Sequence, residues 1–81
     1  MLLAKVTGAV VATRKDETLT GAKLLVVQPE GAGPVVAVDR LGAGIGDMVL
    51  VALGSAARAA VGDRMSVDAA VVGIVDSVEE K

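Results

Sequence analysis

The chain has 81 residues, eight Lys and Arg against ten Asp and Glu, and a net charge of −2. It has no His, Cys, Trp, Tyr or Phe, yet 53% of it is hydrophobic. Together these exclude disulfides, thiolate zinc sites and His-based catalysis, and they argue against a basic or base-stacking nucleic-acid surface.

The length predicts a single domain over residues 1–81, with a core built from Val, Leu, Ile, Ala and Met. A small domain has little interior, so part of this apolar material must face outward, which usually marks an interface. No apolar run reaches the 18 or so residues of a membrane span, and Met1–Lys5 does not read as a signal peptide. The expected address is the cytoplasm, without membrane attachment.

Turn signals recur at short intervals between Val-rich runs, which predicts an all-β domain. The first strand runs from Leu3 to Thr13 with period two, and Gly8 in its middle predicts a bend or bulge. Arg14–Glu17 reads as a solvated loop. The second strand, Ala22–Gln28, contains Leu24-Leu25-Val26-Val27 and is apolar on both faces. One face fills the barrel, and the other is expected to meet a second subunit. Pro29–Pro34 connects to a third strand at Val35–Asp39. The glycine-rich turn Leu41–Asp47 leads to a fourth strand at Met48–Leu53. Gly54–Val61 is a short helix, with Ser55 expected to cap it and Gly62 to end it. The fifth strand spans Ala69–Val78, and Glu79–Lys81 is a polar tail. The expected architecture is a five-stranded closed barrel of the oligonucleotide-binding type with one short α-helix.

Sites of chemistry are hard to find. Gly42-Ala43-Gly44-Ile45-Gly46 lacks the Gly-x-Gly-x-x-Gly spacing of a dinucleotide fingerprint and precedes a strand, so it reads as a turn requiring positive φ. Asp39, Asp47, Asp63, Asp68 and Asp76 form no dense calcium loop, and Asp47 and Asp63 each follow a Gly as in ordinary turns. Ser55 has no base to activate it. No cofactor and no metal is expected, and the chain does not read as an enzyme. Arg58 is either a solvated helix residue or a subunit contact.

The ordered motifs carry more information than any one alone. They are Val6-Thr7-Gly8-Ala9-Val10-Val11-Ala12-Thr13-Arg14-Lys15, Leu24-Leu25-Val26-Val27-Gln28-Pro29, Val36-Ala37-Val38-Asp39, Gly42–Val51, Gly54-Ser55-Ala56-Ala57-Arg58 and Val67–Val78. Across nearly the whole chain this set resembles the EutN/CcmL family of bacterial microcompartment vertex proteins. The resemblance implies a β-barrel that forms a homopentamer, caps the five-fold vertices of a protein shell and sits among hexamer-forming shell proteins. Three departures accompany it: a short Gln28–Val35 connection, Met48 where members often carry Trp, and Ala56 in place of a second Ser. In such a ring, Gly54, Ser55, Ala56 and Ala57 are the preferred axis-lining segment, because five copies of a charged residue would repel there. The amino end of the helix would favour an anion or water at that point. Gly42, Ala43, Gly44, Ile45 and Gly46 form the competing axial segment, and Arg58 is the interface candidate. The alternative function, from a different class, is a small barrel binding single-stranded nucleic acid.

Overall fold

A computed structural model describes residues 1–62 and 64–80. Asp63, read above as a turn residue, and Lys81, the end of the polar tail, lie outside the described residues. The strands are β1 (Leu2–Ala9), β2 (Lys23–Pro29), β3 (Val35–Asp39), β4 (Met48–Leu53) and β5 (Ala69–Ile74). Helix α1 (Gly54–Val61) precedes β5, and a 3₁₀ turn occupies Glu17–Leu19. The strands close into a barrel in the order β1-β2-β3-β5-β4. The β3–β5 pair is parallel and the others antiparallel. A parallel pair needs a long crossover, and here β4 and α1 are carried within it.

Alternation sets the core. Val6, Leu25, Val27, Ala37, Val49, Val51 and Val71 point inward and are buried. Val38, Ala57 and Ala70 form a second cluster under α1 on the outer wall. Leu24, Val61, Met65 and Val67 pack against that cluster. The outer side of β2 therefore finds part of its cover within the subunit, where a neighbouring subunit had been expected. Met65 and Val67, beyond α1, pack against the same cluster as Leu24.

Gly8 bears out the expected bulge: the β1–β2 register slips between Val6 and Gly8. A Cβ at Gly8 would meet only Val26, at 3.9 Å, so the space there is ordinary. The slip leaves Thr7 as the extra residue; on the other edge of β1, the Val6 N–H donates to the Asp47 carbonyl and the Val6 carbonyl accepts from Gly46 N–H. A second irregularity opposes Leu50 to Gly73 and Val51 to Val71, making Val72 the extra residue.

Two strands are shorter than their apolar runs suggest. β1 ends at Ala9, with one further bond from Val10 N–H to the Leu24 carbonyl. β5 ends at Ile74, after which Val75 N–H reaches the Met48 carbonyl. The loop before β2 is exposed from Arg14 to Glu17, as read from the sequence, and at its end the Asp16 carboxylate accepts from Thr18 N–H at 2.9 Å and caps the 3₁₀ turn.

The mouth of the barrel is closed by a buried carboxylate. The Asp39 side chain is 0% exposed and accepts from Leu41 N–H at 2.9 Å and Ala43 N–H at 2.8 Å. Lys23 Nζ lies 3.4 Å from it and donates to the Ala43 carbonyl at 2.9 Å. This draws Ala43 into the core and fixes the loop between β3 and β4.

Two predictions follow from these contacts. Asp39→Ala strands one buried and one part-buried N–H donor and costs about 2–4 kcal/mol, whereas Lys23→Met, at a half-exposed ammonium, costs less than about 1 kcal/mol. Urea unfolding followed by far-ultraviolet circular dichroism, at fixed subunit concentration, separates the two; equal losses would contradict the assignment. The hydrogen bonds from the Thr18 backbone and side chain hold the exposed Asp16 carboxyl below its ordinary value of 3.8. Its contribution is therefore present above the unfolded value and lost as pH falls through the lower native one. Asp16→Ala and the native chain should differ in stability near neutrality and converge in strong acid.

Candidate functional site

Two segments of small residues stand out on the surface, as the sequence suggested. The first is the start of α1. The chain leaves β4 extended at Leu53 (φ −121°, ψ 156°), which occupies the capping position and makes no side-chain cap. It then turns through Gly54 at φ +59°, a conformation that L side chains rarely adopt. Gly54 N–H donates to the Asp68 carbonyl at 2.8 Å.

Ser55 is therefore not the helix cap. It lies one residue inside α1, past the position from which its hydroxyl could cap, and the positive φ of Gly54 makes the entry turn instead. Ser55 and Ala56 are exposed and Gly54 is half-buried. Ala57 is fully buried against Val38 and Ala70, so its side chain serves the contact between helix and barrel and is not available to line an axis. Gly62 ends the helix as expected, at φ +100°, with its N–H donating to the Arg58 carbonyl. Arg40 Nη1 donates to the Val61 carbonyl at 3.1 Å, placing a cation at the negative end of the helix. Arg58 is exposed, and among the described residues no side chain of the subunit pairs with it.

The second segment is the loop held by Asp39. Gly42 and Gly46 take φ of +90° and +94°, the positive values expected of this turn, while Gly44 does not. Asp47 Oδ2 accepts from Gly44 N–H at 2.8 Å, and Asp47 N–H donates to the Gly44 carbonyl at 3.0 Å. Ala43 is buried, which removes it as an axial side chain, whereas Ile45 between two exposed glycines is 73% exposed.

A third feature escaped the sequence reading. The outer wall of β1 and β4 carries an apolar groove of about 360 Å³, lined by Leu3, Pro29, Met48 and Val78, with Lys5 and Glu30 its charged residues. The signal was present: Leu3 and Met48 are large apolar residues at outward positions of strands that otherwise alternate. Among the described residues no three acidic side chains converge as a metal site would require. Nor, among the described residues, is any helix long and apolar enough to cross a membrane.

Comparison with known proteins places this barrel. The model of the family described as ethanolamine utilisation protein EutN/carboxysome matches residues 1–76. The microcompartment shell vertex protein GrpN of Rhodospirillum rubrum is 53% identical, over 98% of this chain and 97% of its own length. Among solved structures, CcmL of Nostoc sp. PCC 7120 superposes with a TM-score of 0.88 at 44% identity, covering 96% of this chain and 92% of that one. A structure described as the GrpN pentameric microcompartment shell protein of Rhodospirillum rubrum gives 0.85 at 49% identity, covering all of both chains. By these matches the chain belongs to the EutN/CcmL family.

Proposed function

We propose that this chain assembles into a homopentamer that caps the five-fold vertices of a bacterial microcompartment shell. The observation that carries the reading is its match, over its full length and at 49% identity, to a solved pentameric shell protein. Its role is structural, and no turnover is assigned to it. The buried carboxylate of Asp39 is consumed by the loop, and Ser55 has no His or Cys in the chain to activate it. The nucleic-acid alternative has neither positive charge nor aromatic rings to support it.

A closed ring uses one heterologous contact five times, which needs two different patches on each subunit. The exposed apolar residues Leu3, Val36, Ile45, Met48 and Val78 supply material for both. At the centre of the ring we place the start of α1. Gly54, Ser55 and Ala56 are small and neutral and can crowd five times without charge repulsion. Arg58 then stands one turn along the helix, near a neighbouring subunit. The outer rim meets hexamer-forming shell proteins, and the assembly resides in the shell, within the bacterial cytoplasm.

Two experiments test this. Co-expression with a hexameric shell protein should give closed shells only when this chain is present; shells that close equally well without it, vertices filled, would refute the capping role. In this Cys-free chain, Ser55→Cys should form disulfide dimers between ring neighbours under mild oxidation. Ile45→Cys, the exposed position of the rival loop, is the comparison. Cross-linking by Ile45→Cys and not by Ser55→Cys would move the axis to that loop.

A further inference from the structure

We infer that the cleft between the 3₁₀ turn and the far end of α1 is a binding site for a small aliphatic zwitterion, a chain with an ammonium at one end and a carboxylate at the other. The inference does not rest on the pentameric reading.

The cleft has a volume of about 720 Å³. Glu17 and Thr18 line it from the 3₁₀ turn, and Val61, Gly62, Arg64 and Met65 line it from the end of α1 and the chain beyond. Its two sides are far apart in sequence, and a pair of hydroxyls joins them. Thr18 Oγ1 donates to Ser66 Oγ at 2.8 Å, across a separation of 48 residues, and accepts from Ser66 N–H at 3.3 Å. Gly62 turns the chain out of the helix at φ +100°, and a Cβ added there would meet nothing within 4 Å, so the space beside it is open.

The lining combines three chemistries. Val61 and Met65 are half-buried against the cluster of Val38, Ala57 and Ala70 and form an apolar floor. Glu17 supplies an exposed carboxylate and Arg64 an exposed guanidinium, and among the described residues neither is paired with an opposite charge. The polar groups beside them are already used: the Asp16 carboxylate takes the Thr18 N–H, and Arg40 donates to the Val61 carbonyl. One anion and one cation over an apolar floor complement a ligand whose carboxylate meets Arg64, whose ammonium meets Glu17 and whose methylenes cover Val61 and Met65. A dianion would be repelled by Glu17, and a wholly apolar molecule would desolvate both charges without pairing either. Exposed ion pairs contribute little each, which sets the expected Kd on the order of millimolar.

Amide NMR titrations with three probes test this: aminocaproate carries both charges, while caproate lacks the ammonium and hexylammonium lacks the carboxylate. Aminocaproate should give saturable shifts centred on Thr18, Gly62 and Met65, and each single-charge probe should bind on the order of threefold more weakly. Arg64→Gln should erase the preference for aminocaproate over hexylammonium, and Glu17→Gln its preference over caproate, a cycle that a merely structural role for either residue would not produce. Both side chains are exposed, so the far-ultraviolet spectrum should not change. Thr18→Val, which unties the two sides, should weaken all three probes together. Absence of saturable shifts well above millimolar aminocaproate would overturn the site. Equal binding of the three probes, or preferences unchanged in both charge variants, would overturn the zwitterion assignment.

Discussion

The interior of this barrel is narrow and contains no aromatic ring. Leu25 is the largest fully buried side chain, and the remainder of the core is Val and Ala. Much else depends on that constraint. Small inward residues let five short strands close on themselves, and closure removes the free strand edges that invite uncontrolled pairing. The same choice limits how much apolar surface one subunit can bury, in a chain where more than half the residues are hydrophobic. The excess lies outside, on the β1–β4 wall, at Val36 and on the loop at Ile45. A closed ring is one way to cover it without generating an open fibre.

Closure by a parallel β3–β5 pair fixes where the accessory elements lie. The crossover lays α1 over the outer wall, where Ala57 meets Val38 and Ala70 at close range. A helix of eight residues has little stability of its own and persists through that packing. The other connection, between β3 and β4, has no helix. It is held by polar bonds instead, with Asp39 at their centre. The two small-residue segments therefore differ in mechanics. One is anchored by apolar contact and by Gly54, the other by a buried carboxylate.

The fold was legible because its signals are local. Period-two runs and glycine-rich turns placed every strand, and Gly8 marked its bulge. The failures were also local in cause. The β1 and β5 runs were read through to Thr13 and Val78 because apolar sequence continues past the last paired residues, Ala9 and Ile74. Ser55 was read as a cap because the sequence does not reveal that Gly54 takes φ +59° and begins the helix itself. Of the proposed axial side chains, Ala57 and Ala43 turned out to face the core. Both are alanines within small-residue segments, and composition alone does not say which way a small side chain points. Asp39 was noted only as one of several scattered carboxylates, since its role depends on Lys23 and Ala43 being brought to it by the barrel.

The central claim is that this subunit completes its apolar surface in a closed ring of five copies. Native mass spectrometry over a dilution series addresses it most directly. The account predicts one dominant species at five times the 8.0 kDa subunit mass, giving way to monomer only on strong dilution. A persistent monomer at micromolar concentration, or an open-ended series of oligomers without a preferred size, would contradict it.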